Sequence, residues 1–500
     1  MNNKFKRVCM MEFETTNGNM YMWNDEVGIF VPFSDTMKAV RDEIYGENAT
    51  SLEKVIKKLD FSDKGEITYC YNWLKKWEKV KNQFHNSQNH PLNSMDIKKF
   101  IRREGLKQLT LCITEDCNFR CKFCIYSDDY DYTRVHSGRK MSLSIAKKAI
   151  DYYLTLIKNN SKYNPIRKPA IGFYGGEPLL NFNLIKKCVQ YVDSNYENKM
   201  LYALTTNGSL LDKQKSKWLM ENDFIISVSL NGPENEHDRL RVYKDGNGSY
   251  RDVMENIGPI MEYGYENIAS LPVYDLKTDL FELNNFFNEK NVPYVGMLSE
   301  VSRYQGSKYY DQFTEEDRLK FIEHLKNAKK SYWENIENRN SGKSIFDLFF
   351  IKPIRRMLFE KNMLYPQNNI LPFTSTCVPG NKIFVDVNGT FHICERVSFG
   401  HPIGNVDEGL NFAKIVKLID DYFNHMDKCH ECEIQHQCSY CFQHFMTKNG
   451  FEYSSKICEN REIDMKEAFV SILETAEIFS EYIDDNNYFK QNNINKYWGD

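Results

Sequence analysis

Residues 109–124 read LTLCITEDCNFRCKFC. The first six are apolar or β-branched, as in a short buried strand, and from Glu115 they give way to a polar loop carrying Cys117, Cys121 and Cys124. Three thiolates separated by three and then two residues can bind three irons of a [4Fe-4S] cube and leave the fourth iron open to another ligand. A structural zinc site instead wants a fourth Cys or His close by, and the nearest histidine in sequence, His136, stands well beyond the loop. The loop therefore predicts an iron-sulfur cluster with one free coordination position.

Downstream, apolar runs alternate with amphipathic helical stretches, the sign of parallel βαβ units. Strands are expected at 109–114, 170–175 (AIGFYG), 201–206 (LYALTT), 224–230 (FIISVSL), 268–274 (IASLPVY) and 294–299 (YVGMLS). Such a series predicts an α/β fold, a partial (β/α)6 TIM-like barrel whose functional residues belong at the C-terminal ends of the strands. The unusual segments fall there: the cysteine loop after the first strand, Gly175-Gly176-Glu177-Pro178 after the second, Thr206-Asn207-Gly208-Ser209 after the third, and Asn231 to Arg241 after the fourth. Asp275 and Glu300, at the ends of later strands, are candidates for facing a substrate.

C-x-x-x-C-x-F-C after the first strand, with GGEP after the second, resembles the signature of the radical S-adenosylmethionine (SAM) superfamily. The resemblance implies that Cys117, Cys121 and Cys124 hold a [4Fe-4S] cluster whose open iron is chelated by the methionine moiety of SAM. One electron would then release a 5'-deoxyadenosyl radical that abstracts a hydrogen atom. It also places Gly175, Gly176 and Glu177 at the SAM ammonium, where glycines admit close backbone approach and a carboxylate offsets the charge. By the same resemblance Phe123 packs near the adenine, Thr206 and Asn207 lie beside the ribose, and Ser229 and Arg241 lie near the methionine carboxylate. Related enzymes often carry Asp where this chain has Asn231.

Seven further cysteines fall between Cys377 and Cys458: Cys377, Cys394 five positions after Gly389, Cys429, Cys432, Cys438, Cys441 and Cys458. The series is similar to the SPASM domain, C…Gx4C…CxxCx5Cx3C…C, with two residues instead of three between Cys438 and Cys441. The likeness implies two auxiliary clusters, hence three [4Fe-4S] clusters in all. Cys429, Cys432, Cys438 and Cys458 would hold one of them completely, leaving Cys377, Cys394 and Cys441 for the other. That second cluster has an open iron for a substrate thiolate, or a fourth ligand from His392, Glu395 or water. A pair of zinc ribbons using His430, His436 or His444 is the competing reading.

Ahead of the barrel, VCMMEFET, MYMWND and VGIFVPF predict three strands, with helices beginning near Asp35, Ser51 and Ile67. This resembles the PqqD-like, winged-helix-type domain with which precursor-peptide maturases bind a leader peptide, and an exposed sheet edge could take the leader as an added strand. The expected divisions are 1–100 for this α+β unit, 105–300 for the barrel, 301–372 for a helical connection containing the linker YPQNNILPF, 373–462 for the SPASM region and 463–500 for a helix and tail. Partners implied are a precursor peptide with a leader and a one-electron donor such as flavodoxin or ferredoxin. The leading product is an intramolecular thioether, as in sactipeptide and ranthipeptide maturases. Formylglycine formation, as in anaerobic sulfatase maturases, and carbon-carbon crosslinking share the same motifs.

Composition narrows the alternatives. A net charge of −4 argues against a nucleic-acid binder, no apolar run nears the roughly 18–20 residues of a membrane span, and MNNKFKRVCMM lacks the apolar core of a signal peptide. A cytoplasmic location is expected, where 14 cysteines point to metal rather than disulfides. Cys9, Cys70, Cys112 and Cys188 are expected to be structural. A non-catalytic iron-sulfur or zinc protein is the alternative from another class, and GGEP speaks against it because a scaffold needs no SAM site.

Overall fold

The computed structural model describes residues 10–479 apart from 26–28, 46–50, 60–62, 86–92, 105, 131–133, 164–167, 290, 304–306, 336–343, 353–376, 427, 430–431, 436, 439 and 448–449. Cys9, the linker YPQNNILPF, His430, His436 and the final polar tail lie outside the described residues.

Strands β1 (Met10–Glu14), β2 (Met20–Asn24) and β3 (Ile29–Pro32) form an antiparallel sheet in that order. Helices α1 (Asp35–Tyr45), α2 (Leu52–Lys58), α3 (Lys64–His85) and α4 (Ser94–Glu104) follow. The period-two alternation of side chains gives this sheet two buried faces. Met22 and Val31 pack with Val40, Val55 and Ile67 of the helices. Met11, Phe13 and Trp23 turn the other way, onto Phe469 and Ile472 of the long C-terminal helix Ser455–Phe479. Phe469 is the centre of that contact, with its ring 4.7 Å from Trp23, 5.4 Å from Phe30 and 6.0 Å from Phe13. Glu477, on the same helix, accepts hydrogen bonds from Tyr21 Oη at 2.8 Å and Asn17 Nδ2 at 2.8 Å. Phe469→Ala is expected to lower stability by about 3–5 kcal/mol. A thermal melt with limited proteolysis should show the loss, with early cutting near residues 10–35.

The barrel strands are β4 (Gln108–Thr114), β5 (Ala170–Gly175), β6 (Leu201–Thr206), β7 (Ile225–Val228) and β8 (Ile268–Ser270), all parallel. Between them run α5 (Leu143–Asn160), α6 (Phe182–Asn195), α7 (Lys213–Glu221), α8 (Glu234–Leu240) and α9 (Tyr250–Glu262). The two remaining expected strands are each split. IASLPVY gives β8 and then β9 (Val273–Tyr274), broken at Pro272, which has no N–H for the ladder. After α10 (Leu280–Phe287), YVGMLS gives β10 (Tyr294–Val295) beside β8 and β11 (Ser299–Glu300) beside β9. Helix α11 (Glu315–Glu334) starts on a capping box between Thr314 and Asp317.

The cysteine-rich region continues the barrel sheet, a connection the sequence pattern did not suggest. β12 (Lys382–Val385) lies parallel to β4, with Lys382 opposite Gln108, and leads antiparallel into β13 (Thr390–His392), β14 (Gly404–Asn405) and β15 (Gly409–Leu410). The segment around Cys394 is thereby fixed to the strand that precedes Cys117. Among the described residues no helix is long and apolar enough to cross a membrane.

Candidate active site

The cysteine loop leaves β4 at Thr114 and is anchored at once. Glu115 is buried and forms a two-pronged ion pair with Arg139, at 2.8 and 2.9 Å. The tip of β5 presses against the same turn: Gly176 N donates to Thr114 O and Glu177 N to Asp116 O, each at 2.8 Å. A Cβ on Gly175 would stand 2.2 Å from Thr114 O, and one on Gly176 2.1 Å from Asp116 O, while Gly175 has φ +146°. Both glycines are thus needed for two strand ends to meet, whatever else they touch.

A second segment clamps the loop from the other side. Arg120 N donates to Val242 O at 2.7 Å, Lys122 N to Leu240 O at 3.1 Å, and Lys244 N to Asn118 O at 3.1 Å. This clamp sets Arg241, which is buried, with Nη1 3.9 Å from Cys121 Sγ and its guanidinium 4.8 Å from the centre of the Phe123 ring. Its Nε donates to Asn231 Oδ1 at 3.0 Å. Asn231 Oδ1 also accepts from Val273 N at 3.3 Å, and its buried Nδ2 has no partner among the described residues. Ser229 is half-buried, and its N–H joins Thr206 O at 2.9 Å.

Glu177 is fully buried and surrounded by donors: Leu179 N at 3.0 Å and Thr206 Oγ1 at 2.8 Å reach Oε1, and Asn207 N at 2.7 Å reaches Oε2. Burial pushes its carboxyl up to about 7 against these hydrogen bonds, which favour the ionised form. Asn207 carries the network into the cysteine loop, with Nδ2 2.8 Å from Asn118 Oδ1 and 3.9 Å from Cys117 Sγ. Asn118 then donates to Ser209 Oγ at 2.8 Å. Its part as a bridge between the loop and β6 had no sequence signal beyond its place between two cysteines.

The three thiols form one electrostatic group, since Cys121 and Cys124 both act on Cys117. Burial raises all three, Cys124 to about 12. Holding them as thiolates here requires a strongly positive partner, which the irons of a cluster supply. Among the described residues no three His, Cys, Asp or Glu side chains close around a single metal ion. A cavity of about 430 Å³ opens beside Cys121, lined also by Arg120, Ser127, His136, Tyr309 and Gln312.

Asp275 and Glu300 are not free carboxylates. Asp275 is fully buried, paired at 2.9 Å twice with Arg239, and accepts from Tyr309 Oη at 2.7 Å and Lys277 N at 2.9 Å. These four bonds use about all the lone pairs a carboxylate has. Burial would raise its pKa, but the bonds from Arg239 and Tyr309 outweigh it and hold the group below the usual range. Its stabilising effect is therefore complete above about pH 4 and lost as pH falls through the lowered value. Asp275→Ala should cost about 3–5 kcal/mol, because Arg239 loses half of its compensation; denaturant unfolding at pH 7 measures this. Glu300 is bound by Arg303 Nε at 2.8 Å and by Tyr310 Oη at 3.2 Å.

The C-terminal cysteines form one connected series. Cys441 acts on Cys394, and both Cys377 and Cys438 act on Cys441. Cys438 acts on Cys432 and Cys458, while Cys429, Cys432 and Cys458 all act on Tyr453. Successive turns, Cys432 N to Cys429 O at 3.2 Å and Cys438 N to Ile434 O at 2.8 Å, bring Cys429, Cys432 and Cys438 together. The described cysteines are free thiols. His392 Nε2 is 3.0 Å from Asp386 Oδ2, Glu395 pairs with Lys382 Nζ at 2.7 Å, and His444 Nδ1 accepts from Cys441 N at 3.2 Å.

A half-barrel with three cysteines after its first strand defines a class. Residues 111–279 match the Radical SAM superfamily, so this stretch is a radical SAM domain. The family binds SAM and a [4Fe-4S] cluster. The radical SAM cyclopropyl synthase TigE of Paramaledivibacter caminithermalis is 21% identical over 389 residues, 76% of this chain and 74% of TigE. A cysteine-type anaerobic sulfatase-maturating enzyme of Clostridium perfringens is 23% identical over 342 residues, 67% of this chain and 85% of that protein. The structure of anSMEcpe with bound AdoMet superimposes with a TM-score of 0.58 at 20% identity, covering 77% of this chain and 97% of that one, and so shares the fold.

Proposed function

We propose that the chain is a peptide maturase that removes a hydrogen atom from a ribosomally made precursor and closes a thioether between a cysteine sulfur and a carbon of the same peptide. Cys117, Cys121 and Cys124 would hold the SAM-binding cluster, with Glu177, Gly175 and Gly176 at the SAM ammonium, Phe123 near the adenine, Thr206 and Asn207 beside the ribose, and Ser229 and Arg241 toward the carboxylate. When bound, the cluster and SAM supply a hydrogen-abstracting radical. The chain's own task is to hold these groups rigid and dry: Arg241 is fixed by Asn231, and Glu177 by three donors.

The observation that supports the thioether reading is that Cys377 and Cys394 are both linked to Cys441, while Cys432 and Cys458 are linked to Cys438, which also reaches Cys441. A group of three thiols would leave an auxiliary cluster one position short; Glu395 is paired with Lys382, and His392 holds Asp386 through Nε2 while its Nδ1 has no partner among the described residues. That position suits a substrate cysteine. The 1–100 unit is proposed to take the leader along an outer strand of its sheet, and flavodoxin or ferredoxin to deliver the electron in a reducing cytoplasm.

Incubation with the precursor peptide, SAM and reductant without oxygen should give a product lighter by two hydrogen atoms with one thiol closed to alkylation. An aldehyde-bearing product would instead establish formylglycine formation, the reading favoured by the extensive match to the sulfatase-maturating enzyme.

A further inference from the structure

Arg134 is a buried cation with no ion-pair partner among the described residues. It lies in the loop after the three cysteines, is 1% exposed, and is sandwiched between Phe384 at 4.3 Å and Phe399 at 4.2 Å. Nη2 donates to Val397 O at 3.1 Å, whereas Nε and Nη1, both buried, have no partner among the described residues. Three described carboxylates of the region are committed elsewhere: Glu115 to Arg139, Glu395 to Lys382, and Asp386 to His392 and the backbone N–H groups of Asn388 and Thr390. A guanidinium left in this state is costly, and burial is ordinarily tolerated only with an anion or a full set of acceptors.

Its position gives the missing anion a meaning. The Arg134 charge acts on Tyr126 and Tyr174, and Cys124 acts on both of these as well. Phe384 lies on β12 and Val397 follows Cys394, so the arginine stands between the first cysteine loop and the Cys394 segment. Two rings lie against the guanidinium, and Nε and Nη1 are left as charged donors that an anionic acceptor would satisfy.

We propose that Arg134 is a specificity-determining residue that receives a carboxylate of the substrate, from an acidic side chain or a C-terminus, close to where the peptide is modified. This rests on the peptide-substrate reading above and narrows it to peptides carrying an acidic group near the reacting residue.

The test uses the reconstituted full chain with SAM and three probes: N-acetylglutamate N-methylamide, N-acetylglycine as a terminal carboxylate, and N-acetylglutamine N-methylamide as the uncharged control. Binding is followed by ligand-observed NMR. At least one carboxylate probe should bind about tenfold or more tightly than the control, and the stronger of the two identifies the source. Arg134→Gln and the milder Arg134→Lys should abolish or sharply reduce that preference, with circular dichroism confirming the fold. Equal or absent binding of the three probes to the wild type would overturn the assignment, as would a preference that survives in either folded variant. SAM cleavage is measured in the same samples. Cleavage without a carboxylate preference sinks this inference alone, and absence of cleavage sinks the maturase reading.

Discussion

Cys117→Ala is expected to abolish 5'-deoxyadenosine formation from SAM under dithionite, and to lower reconstituted iron from about twelve to about eight atoms per chain. Cys117 is the least exposed residue of the three, at 8%, and its Sγ accepts from Phe119 N at 3.4 Å and lies 3.9 Å from Asn207 Nδ2. No other cysteine stands near enough in the loop to replace it, and Cys112, four residues into the strand before, has its thiol turned to Thr114 O at 3.6 Å. The fold itself should survive, because the loop is fixed by backbone contacts to Leu240 and Val242 that the substitution leaves in place. A loss of about 1 kcal/mol is the expected scale. Iron and sulfide analysis with chromatography of the nucleoside product decides the matter. Undiminished nucleoside formation by the variant would remove Cys117 from the ligand set.

Much of this architecture was legible because the signals are local. LTLCIT, AIGFYG and LYALTT each form one of the expected strands, and the unusual residues follow them as a parallel barrel requires. What was illegible is non-local. KIFV at 382–385 is a short apolar run like many others, and only the folded chain shows it lying parallel to a strand some 270 positions earlier, Lys382 opposite Gln108. Asp275 drew attention as a carboxylate at a strand end, yet Arg239, which holds it, sits on α8, and no spacing rule links the two. The N-terminal strands read as one small unit, whereas one face of their sheet is covered by Phe469 and Ile472 at the far end of the chain. Arg134 carried no pattern at all, since a lone arginine in a loop is ordinarily a surface residue.

Glu177→Gln should be nearly as damaging as loss of a cysteine, although it changes one oxygen to one nitrogen. Both carboxylate oxygens face backbone donors: Leu179 N approaches Oε1 and Asn207 N approaches Oε2. Thr206 Oγ1 gives its proton to the same carboxylate because it already accepts from Gly208 N at 3.1 Å. Whichever way the amide of glutamine is turned, its NH2 meets a backbone N–H in a dry site, an arrangement that costs about 1–3 kcal/mol for each broken bond. The tips of β5 and β6 should separate, and with them Asn207 and its contact to Asn118 in the cysteine loop. Nucleoside formation is expected to fall by about a hundredfold, the equivalent of losing roughly 2.7 kcal/mol of stabilisation at the site. A pH signature separates this from general unfolding. With the folded value raised from 4.5 to about 7, the native protein without ligands holds a proton that the unfolded chain has released. Its stability therefore falls as pH rises from about 4.5 to about 7 and levels off beyond. The glutamine variant has no such proton, so its unfolding free energy should be flatter across that window. A variant with wild-type SAM cleavage and an unchanged pH profile would mean that Glu177 does not hold the two strand ends together.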